Sequence, residues 1–287
     1  MQSPRWKMPA WDKALGVGLA LLLSQAGPGS AQTSDLVSQN AFRVCADPAN
    51  YPVSDDQERG YENRIAELFA EALDRELQYE WYPMATGFIR NTLAANRCDV
   101  VIGYAQGHEM VQNTNHYFTS VYTLVVPQES ELSEVEALTD EALKGARIGV
   151  VAGSPPATHM ARNGLIGDAK SYSLMVDRRY ESPVVDILDD LEAGEIDAAV
   201  MWGPIAGPLV KADYPDLTVI PLLNEAASPR LFFRITMGVR RGEDVWKREL
   251  NSQIRRNQDR INEILEEAGV PLVNDMGTEM LAAETGQ

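Results

Sequence analysis

The sequence predicts an α/β protein made of two similar lobes with a cleft between them. Strand-like and helix-like segments alternate along most of the chain, a pattern typical of α/β folds with largely parallel sheets flanked by helices. A Leu-x-Ala-x-x-x-Asp pattern also occurs at 93–99 and again at 191–197. Each copy leads from a helix end into an apolar strand, which indicates two related halves.

The first 31 residues are expected to form a secretory signal and not part of the fold. Arg5, Lys7 and Lys13 precede an apolar run at 14–23, and small residues follow it. The run is about half as long as the ~20 residues that a membrane-spanning helix needs. We therefore expect export to the periplasm, cleavage of the signal, and a mature protein that is not inserted in the membrane.

The charge of the chain restricts its partners. The net charge is -17, and removing a signal with three bases and one acid brings it to -19. Nucleic acids and anionic lipids bind through Lys and Arg, so neither is an expected partner. The acidic surface is compatible with a basic partner protein.

Two cysteines are present, Cys45 and Cys98. Both lie in or beside predicted strands of the same half, and the periplasm is oxidising, so they are expected to form one disulfide. Two buried thiols are the alternative.

The first half is predicted to begin with a strand, a loop and an amphipathic helix. Apolar residues between 61 and 73 recur at i, i+3, i+4, i+7 and i+8, so one face of this helix should pack on the sheet. The predicted strands of this half are 42–46, 77–82, 99–103 and 122–126, and its predicted helices are 61–73 and 87–96.

The second half follows an acidic stretch at 129–141. Its predicted strands are 147–151, 171–176, 197–201 and 217–222, with a predicted helix at 184–193. A further strand at 231–240 and a long helix at 244–268 follow, and this last helix is predicted to stop at Gly269 and Pro271.

This order of segments resembles the type II periplasmic solute-binding proteins, whose chain starts one lobe, crosses to the other and returns. The resemblance implies a two-lobed fold with lobe one at 41–126 plus 236–275 and lobe two at 127–235. A flexible tail is expected at 276–287.

Four segments resemble a narrower family, the binding-protein-like components encoded with quinoprotein methanol dehydrogenases of methylotrophic bacteria. They are RVCADP at 43–48, GFIRNTL at 87–93, RCDVVIG at 97–103 and MWGP at 201–204. The resemblance implies a periplasmic accessory to PQQ-dependent methanol oxidation. Such a protein would contact the quinoprotein methanol dehydrogenase or assist its maturation.

The resemblance to the type II solute-binding proteins indicates which ligand to exclude. Type II amino-acid binders hold the ligand carboxylate with an Arg and its ammonium with an Asp, and the alignment puts Val111 and Trp202 at these two positions. An unpaired ligand charge in the cleft would cost several kcal/mol. A free amino acid is therefore not the expected ligand.

Neutral and aromatic residues are the candidates for lining the cleft. They stand at predicted strand ends or in adjoining loops, and open α/β sheets bind ligands at the carboxyl ends of their strands. We expect an apolar or aromatic small molecule, or a side chain or loop of a partner. Packing in the core is the alternative for each aromatic residue, and simple helix capping is the alternative for the serine. The candidates are Tyr51, Tyr82, Phe88, Tyr104, Tyr122, Ser154 and Trp202.

No pattern in the sequence predicts catalysis, a metal site or a cofactor. The three histidines, His108, His116 and His159, do not form a metal-binding spacing. A nucleophile elbow, a Walker loop and a dinucleotide fingerprint are also missing. We therefore expect a binding protein that is not an enzyme.

Three hypotheses follow for the function. The first is the accessory of methanol oxidation. The second is a solute receptor that closes on a small molecule and delivers it to an ABC importer. The third, an enzyme with the same fold such as a cyclohexadienyl dehydratase, needs cleft acids and bases that the sequence does not place.

Overall fold

The structure, a computed structural model, describes residues 36–107, 109–177, 180–225 and 227–281. The predicted signal, His108 and residues 282–287 of the predicted tail lie outside the described residues. None of the helices within the described ranges is long and apolar enough to cross a membrane.

The first half is built on parallel strands and one amphipathic helix. Strand β1 (Ala41–Ala46) pairs in parallel with β4 (Glu76–Trp81), and helix α1 (Tyr61–Ala72) connects them. The apolar face of α1 packs on the strands because its apolar residues recur with the helical period. Two short strands, β2 (Ala49–Asn50) and β3 (Ser54–Asp55), precede α1.

Two long strands connect the halves. Strand β6 (Gln112–Pro127) pairs antiparallel with β11 (Phe232–Val239) along its first part, and β11 also pairs antiparallel with β5 (Val101–Ala105). The strand predicted at 122–126 is only the last part of β6. Apolar alternation is interrupted by polar residues at 112–116, which hides the start of this strand from a sequence pattern.

The second half repeats the parallel arrangement. Strand β7 (Ile148–Val151) lies between β8 (Lys170–Tyr172) and β9 (Ala198–Trp202) and pairs in parallel with both. The last part of β6 pairs antiparallel with β9 on one side and with β10 (Leu217–Pro221) on the other. The predicted parallel pairing is thus found between β1 and β4 and among β7, β8 and β9. Strands β6, β10 and β11 are instead antiparallel to their neighbours.

The remaining helices cover the sheets. Two predicted helices are interrupted, and at each interruption a side chain also donates to a carbonyl of the preceding turn: Thr92 Oγ1 donates to Phe88 O at 2.7 Å, and Asn257 Nδ2 donates to Gln253 O at 2.9 Å. The helices after α1 are α2 (Phe88–Asn91), α3 (Pro155–Arg162), α4 (Pro183–Glu192), α5 (Gly203–Asp213), α6 (Asp244–Arg256) and α7 (Gln258–Ala268). Short 3₁₀ turns lie at Leu93–Ala95, Glu131–Glu134 and Glu141–Leu143.

The buried apolar residues agree with a chain that leaves the first half and returns to it. One core combines residues between 37 and 118 with residues between 235 and 272, and Phe42, Phe69 and Trp246 are among its largest buried side chains. Residues between 124 and 231 form the cores of the second half. The exact lobe boundaries, 126/127 and 235/236, stay a prediction.

The start of the predicted tail is hydrogen-bonded to the rest of the chain. Val273 and Met280 form an antiparallel bridge, and the Leu281 N–H donates to Leu272 O at 2.9 Å. Only residues 276–281 of the predicted tail are described.

The repeated sequence pattern corresponds to a repeated structural device. In the first half the Asp99 N–H donates to Arg43 O at 2.7 Å, and both carboxylate oxygens of Asp99 bind the Arg43 guanidinium at 2.7 Å. In the second half the Asp197 N–H donates to Arg147 O at 2.8 Å, and the two side chains form an ion pair. Each pair fixes the start of one strand to the start of a parallel neighbour.

The first pair differs from the second in its burial. The Asp99 side chain is 1% exposed and also binds Arg240 Nη2 at 2.6 Å, whereas the Asp197 side chain is 39% exposed. Removing one partner of a buried ion pair leaves an uncompensated charge, and an exposed pair contributes little.

We expect Asp99→Asn to lower the free energy of unfolding by about 3 kcal/mol, because two guanidinium groups then lack their shared carboxylate. Asp197→Asn, the matched control, should cost about 1 kcal/mol or less. Urea unfolding of both variants at pH 7 measures the difference. Equal losses would contradict the buried role of Asp99.

The predicted disulfide is present. Cys45, near the end of β1, is bonded to Cys98, just before β5, with the two Cα atoms 5.4 Å apart. Both cysteines are buried among apolar side chains that include Leu93 and Val101. The bond therefore ties β1 to β5 beside the Asp99 ion pair.

We expect the double variant Cys45→Ala, Cys98→Ala to unfold with about 2–4 kcal/mol less free energy, since the bond restricts the unfolded chain. Thiol labelling of the denatured, unreduced mature protein should find no reactive cysteine. Two labelled thiols per chain would show that the bond is not formed in the isolated protein.

Candidate functional site

A cavity of about 460 Å³ lies at the carboxyl ends of β5, β7 and β9, opposite the first turn of α1. Its wall contains residues of both halves, such as Ala105 at the end of β5 and Val151 at the end of β7. Strand ends in open α/β sheets leave a crevice because the following loops diverge. The wall is mainly apolar, which is typical of a small-molecule site.

Three aromatic rings form a cluster at this cavity. The ring centroids of Tyr122 and Trp202 are 5.2 Å apart, those of Trp202 and Phe233 are 5.6 Å apart, and those of Tyr122 and Phe233 are 6.4 Å apart. Tyr122 faces Trp202 because β6 and β9 pair in that register. We call Tyr122, Trp202 and Phe233 the aromatic cluster. Burial raises the pKa of Tyr122 to about 12, so its hydroxyl stays protonated and the side chain neutral.

The local sequence explains why Trp202 reaches the cavity. It is the last residue of β9 and the residue before α5, and Pro204 in the first turn of α5 cannot continue the strand. Its ring therefore stands at the strand end, where it contacts Phe233 and Tyr122 instead of lying within the sheet.

Ser154 also lines the cavity, but its hydroxyl is used locally. It precedes α3, and its Oγ donates to Val151 O at 2.7 Å. No side-chain cap bond from Ser154 to the helix is formed. Ser154 thus lies in the cavity wall, and its part in binding a ligand or partner stays a prediction.

The other four candidates lie outside the wall of this cavity. Tyr82, Phe88 and Tyr104 pack in the cluster around the disulfide, as does Val111. Tyr51 is 41% exposed, and its ring contacts the Arg59 guanidinium at 5.2 Å. The three tyrosines do stand near strand ends, and Phe88 begins α2. The side chains of Tyr82, Phe88 and Tyr104 pack beside the disulfide, whereas Tyr51 is largely exposed to solvent.

Glu62 and Phe233 line the cavity although the sequence analysis did not propose them, and Glu62 is the charged residue of the two. It lies in the first turn of α1, and the Gly103 N–H donates to its carboxylate. A Cβ atom at position 103 would stand 1.8 Å from Glu62 Oε1, so only glycine allows this approach. The signal for Glu62 was available, since it precedes the apolar Ile65 and Phe69 by three and seven residues and thus lies on the apolar face of α1.

The surroundings of Glu62 change its acidity. Burial in the low-polarity wall raises the pKa of Glu62 to about 8, and the hydrogen bond from Gly103 offsets part of this effect. The pKa values of Tyr61 and Tyr117 are raised above the usual range, first by burial and then by the charge of Glu62. Near pH 7 the carboxyl of Glu62 is therefore mostly protonated in the free protein.

No group of three or more His, Cys, Asp or Glu side chains in the described ranges is arranged to hold a metal ion. His159 instead serves a structural contact, with Nδ1 at 3.2 Å from Glu225 Oε2 and Nε2 at 2.6 Å from Pro229 O. His116 Nε2 lies 2.8 Å from Asp275 Oδ1.

We expect the wild-type protein to lose stability relative to Glu62→Gln as the pH rises from 5 to 8. In the unfolded chain Glu62 releases its proton near its ordinary pKa of 4.5, whereas the folded protein keeps it until about 8. The unfolded state binds fewer protons in that window, so the free energy of unfolding decreases with pH, by on the order of 3 kcal/mol.

Denaturant unfolding at pH 5, 6, 7 and 8 measures this effect. Glu67→Gln is the matched control, because Glu67 is an exposed residue of the same helix. An identical pH dependence in the wild-type protein and Glu62→Gln would contradict the raised pKa.

The two-half fold and the cavity between strand ends define a periplasmic solute-binding protein of type II. No family model matches the sequence. The periplasmic binding protein XoxJ from Methylobacterium extorquens AM1, known from a crystal structure, is 36% identical in sequence to this chain. The two structures have a TM-score of 0.70, over 82% of this chain and 100% of XoxJ. The chain therefore belongs to the XoxJ and MxaJ family of periplasmic binding proteins.

Two further relatives agree with this assignment. Protein MoxJ of Methylorubrum extorquens is 27% identical over 286 residues, which cover 91% of this chain and 94% of MoxJ. MxaJ from Methylophaga aminisulfidivorans is 24% identical, with a TM-score of 0.69 over 81% of this chain and 100% of MxaJ, and supports the fold.

Proposed function

We propose that the protein is a non-catalytic periplasmic accessory of a PQQ-dependent quinoprotein methanol dehydrogenase. Membership of the XoxJ and MxaJ family carries this proposal, because 36% identity over the whole length of XoxJ joins the chain to the family that its motifs resemble. The secretory pattern at the N-terminus and the Cys45–Cys98 disulfide support location in the periplasm.

We further propose that recognition uses the cavity. Its aromatic cluster offers rigid apolar surface of the kind that anchors a ligand or an inserted side chain. Trp202 stands where type II amino-acid binders carry the ammonium-binding Asp. The cavity thus keeps the position of a ligand site while its chemistry differs from that of an amino-acid receptor.

The second candidate function is a solute receptor for an ABC importer. One observation favours it: the cavity lies at the strand ends where type II proteins hold their solutes, and its 460 Å³ volume suits a small molecule. Under this hypothesis the ligand is a small molecule other than a free amino acid.

We expect the tagged mature protein to enrich a quinoprotein dehydrogenase from the periplasm of its native host grown on methanol. Trp202→Ala should reduce this enrichment by about 30-fold, since truncating a central interface aromatic costs ~2 kcal/mol or more. Mass spectrometry of the bound proteins measures the enrichment.

The matched control is Tyr51→Ala, which removes an aromatic side chain outside the cavity wall and should leave the enrichment unchanged. Trp202→Leu, which retains an apolar side chain in the wall, guards against a general loss of folding. Absence of the dehydrogenase, together with a copurified small molecule, would replace the accessory function by that of a solute receptor.

A further inference from the structure

We propose that the cavity binds a small organic ammonium ion, with Glu62 as its counter-ion and the aromatic cluster as the surface for its apolar body. This inference deepens the proposed function: it rests on the cavity being a binding site, and it does not depend on the dehydrogenase.

The first argument is the incomplete hydrogen bonding of Glu62. An ionised carboxylate accepts about four hydrogen bonds, and the Gly103 N–H supplies one to Glu62. The accessible part of the side chain belongs to the cavity wall. A ligand that donates hydrogen bonds would therefore meet an acceptor already held in place by the backbone of β5.

The second argument is charge. Among the described residues, which leave out Arg178 and Arg179, no Lys or Arg side chain lines the cavity. The two arginines close to the start of α1 are engaged elsewhere, since Arg59 binds Asp55 and Arg64 binds Glu267. An ionised carboxylate in an apolar wall is stable only when it is paired, so the ionised form of Glu62 needs a cationic ligand beside it.

The third argument is the aromatic cluster. The faces of Trp, Tyr and Phe rings attract cations, and the same rings bury the apolar part of a ligand. Three rings with centroids 5.2–6.4 Å apart supply both interactions on one wall. A neutral apolar ligand would use the rings but leave Glu62 with no bond beyond the one from Gly103.

The absence of a cation among the described wall residues also limits the rest of the ligand. A ligand carboxylate would enter the cavity without a counter-charge and would be penalised by desolvation. The ligand class is thus an ammonium on an apolar body without a carboxylate, which agrees with the missing amino-acid clamp.

Binding of such an ion is coupled to proton release. Near pH 7 the free protein holds a proton on Glu62, whose pKa is raised to about 8 by burial. A bound ammonium favours the carboxylate, so the proton leaves on binding, and the affinity rises by up to tenfold per pH unit until about pH 8.

Neighbouring groups do not produce this pH dependence. The titratable groups that interact with Glu62 are Tyr61, Tyr79 and Tyr117, whose pKa values are all raised above 10 mainly by burial. Charged groups on elements packed against α1 form these ion pairs: Arg43 on β1 with Asp99, Asp55 at β3 with Arg59, Glu80 on β4 with Arg97, Glu267 on α7 with Arg64, and Arg260 with Glu263 on α7. Asp259 and Glu266 are the further charged residues of α7. Glu76, at the start of β4, accepts a hydrogen bond from Gln78.

Titration calorimetry with 2-phenylethylammonium, 2-phenylethanol and L-phenylalanine tests the inference on the whole mature protein. The three probes share one apolar body; the alcohol removes the positive charge and the amino acid adds a carboxylate. We expect the ammonium to bind at least tenfold more tightly than either, with proton release at pH 7 detected by comparing two buffers of different ionisation enthalpy.

Variants then locate the charge. Glu62→Gln should weaken binding of 2-phenylethylammonium at pH 8 by at least tenfold and abolish both the proton release and the pH dependence. Glu67→Gln, the same change on the exposed face of α1, should leave all three unchanged. Thermal melts of both variants verify that they are folded.

Three outcomes would overturn the inference. They are equal affinity for the alcohol and the ammonium, unchanged binding in Glu62→Gln, and absence of binding by all three probes. The first two outcomes would still be compatible with a cavity that binds apolar ligands. The enrichment of the dehydrogenase by the wild-type protein is measured in a separate experiment. Failure of the ammonium inference and failure of the accessory function are therefore distinguishable.

Discussion

The buried carboxylate of Asp99 is the interaction on which the first half of the molecule depends. It binds Arg43 of β1 and Arg240 after β11, and the Trp246 indole donates to its main-chain carbonyl at 3.1 Å. These contacts join the start of the fold to the segment that returns from the second half. Asp99 lies two residues before β5, so fixing its position fixes the course of that strand as far as Gly103, whose N–H holds Glu62 in the cavity wall.

The second half uses the same Arg and Asp arrangement without the burial. Its Arg147 and Asp197 lie at the protein surface, and no second arginine or disulfide supports them among the described residues. The two halves are thus built alike but stabilised differently. The cavity lies where their strands end, and β6 and β11 carry the chain between them. A change in the first half therefore acts on Glu62 through β5, whereas the aromatic cluster depends on the register of β6 with β9 and β11.

The chemistry of the cavity separates this protein from the amino-acid receptors that share its fold. Those receptors need a cation and an anion to hold a zwitterion, whereas the described wall of this cavity combines aromatic rings with the carboxyl of Glu62. Burial makes that carboxyl a weak acid, so any ligand that pairs with it must also displace its proton. Partner recognition and ligand binding are compatible in one cavity, because an inserted apolar side chain and a small apolar ion use the same rings.

The sequence by itself determined the α/β class, the repeated Asp-led strand, the disulfide and the family, since each depends on residue type and spacing along the chain. Three of its cleft candidates lie in the cavity wall, namely Trp202 at the end of β9, Tyr122 within β6 and Ser154 before α3. Only the tertiary structure decided that Tyr82, Phe88 and Tyr104 pack around the disulfide, and that Glu62 and Phe233 line the cavity instead. The physical reason is that periodicity identifies a face within one helix or strand, whereas the neighbour which that face meets is fixed by pairing between strands far apart in sequence.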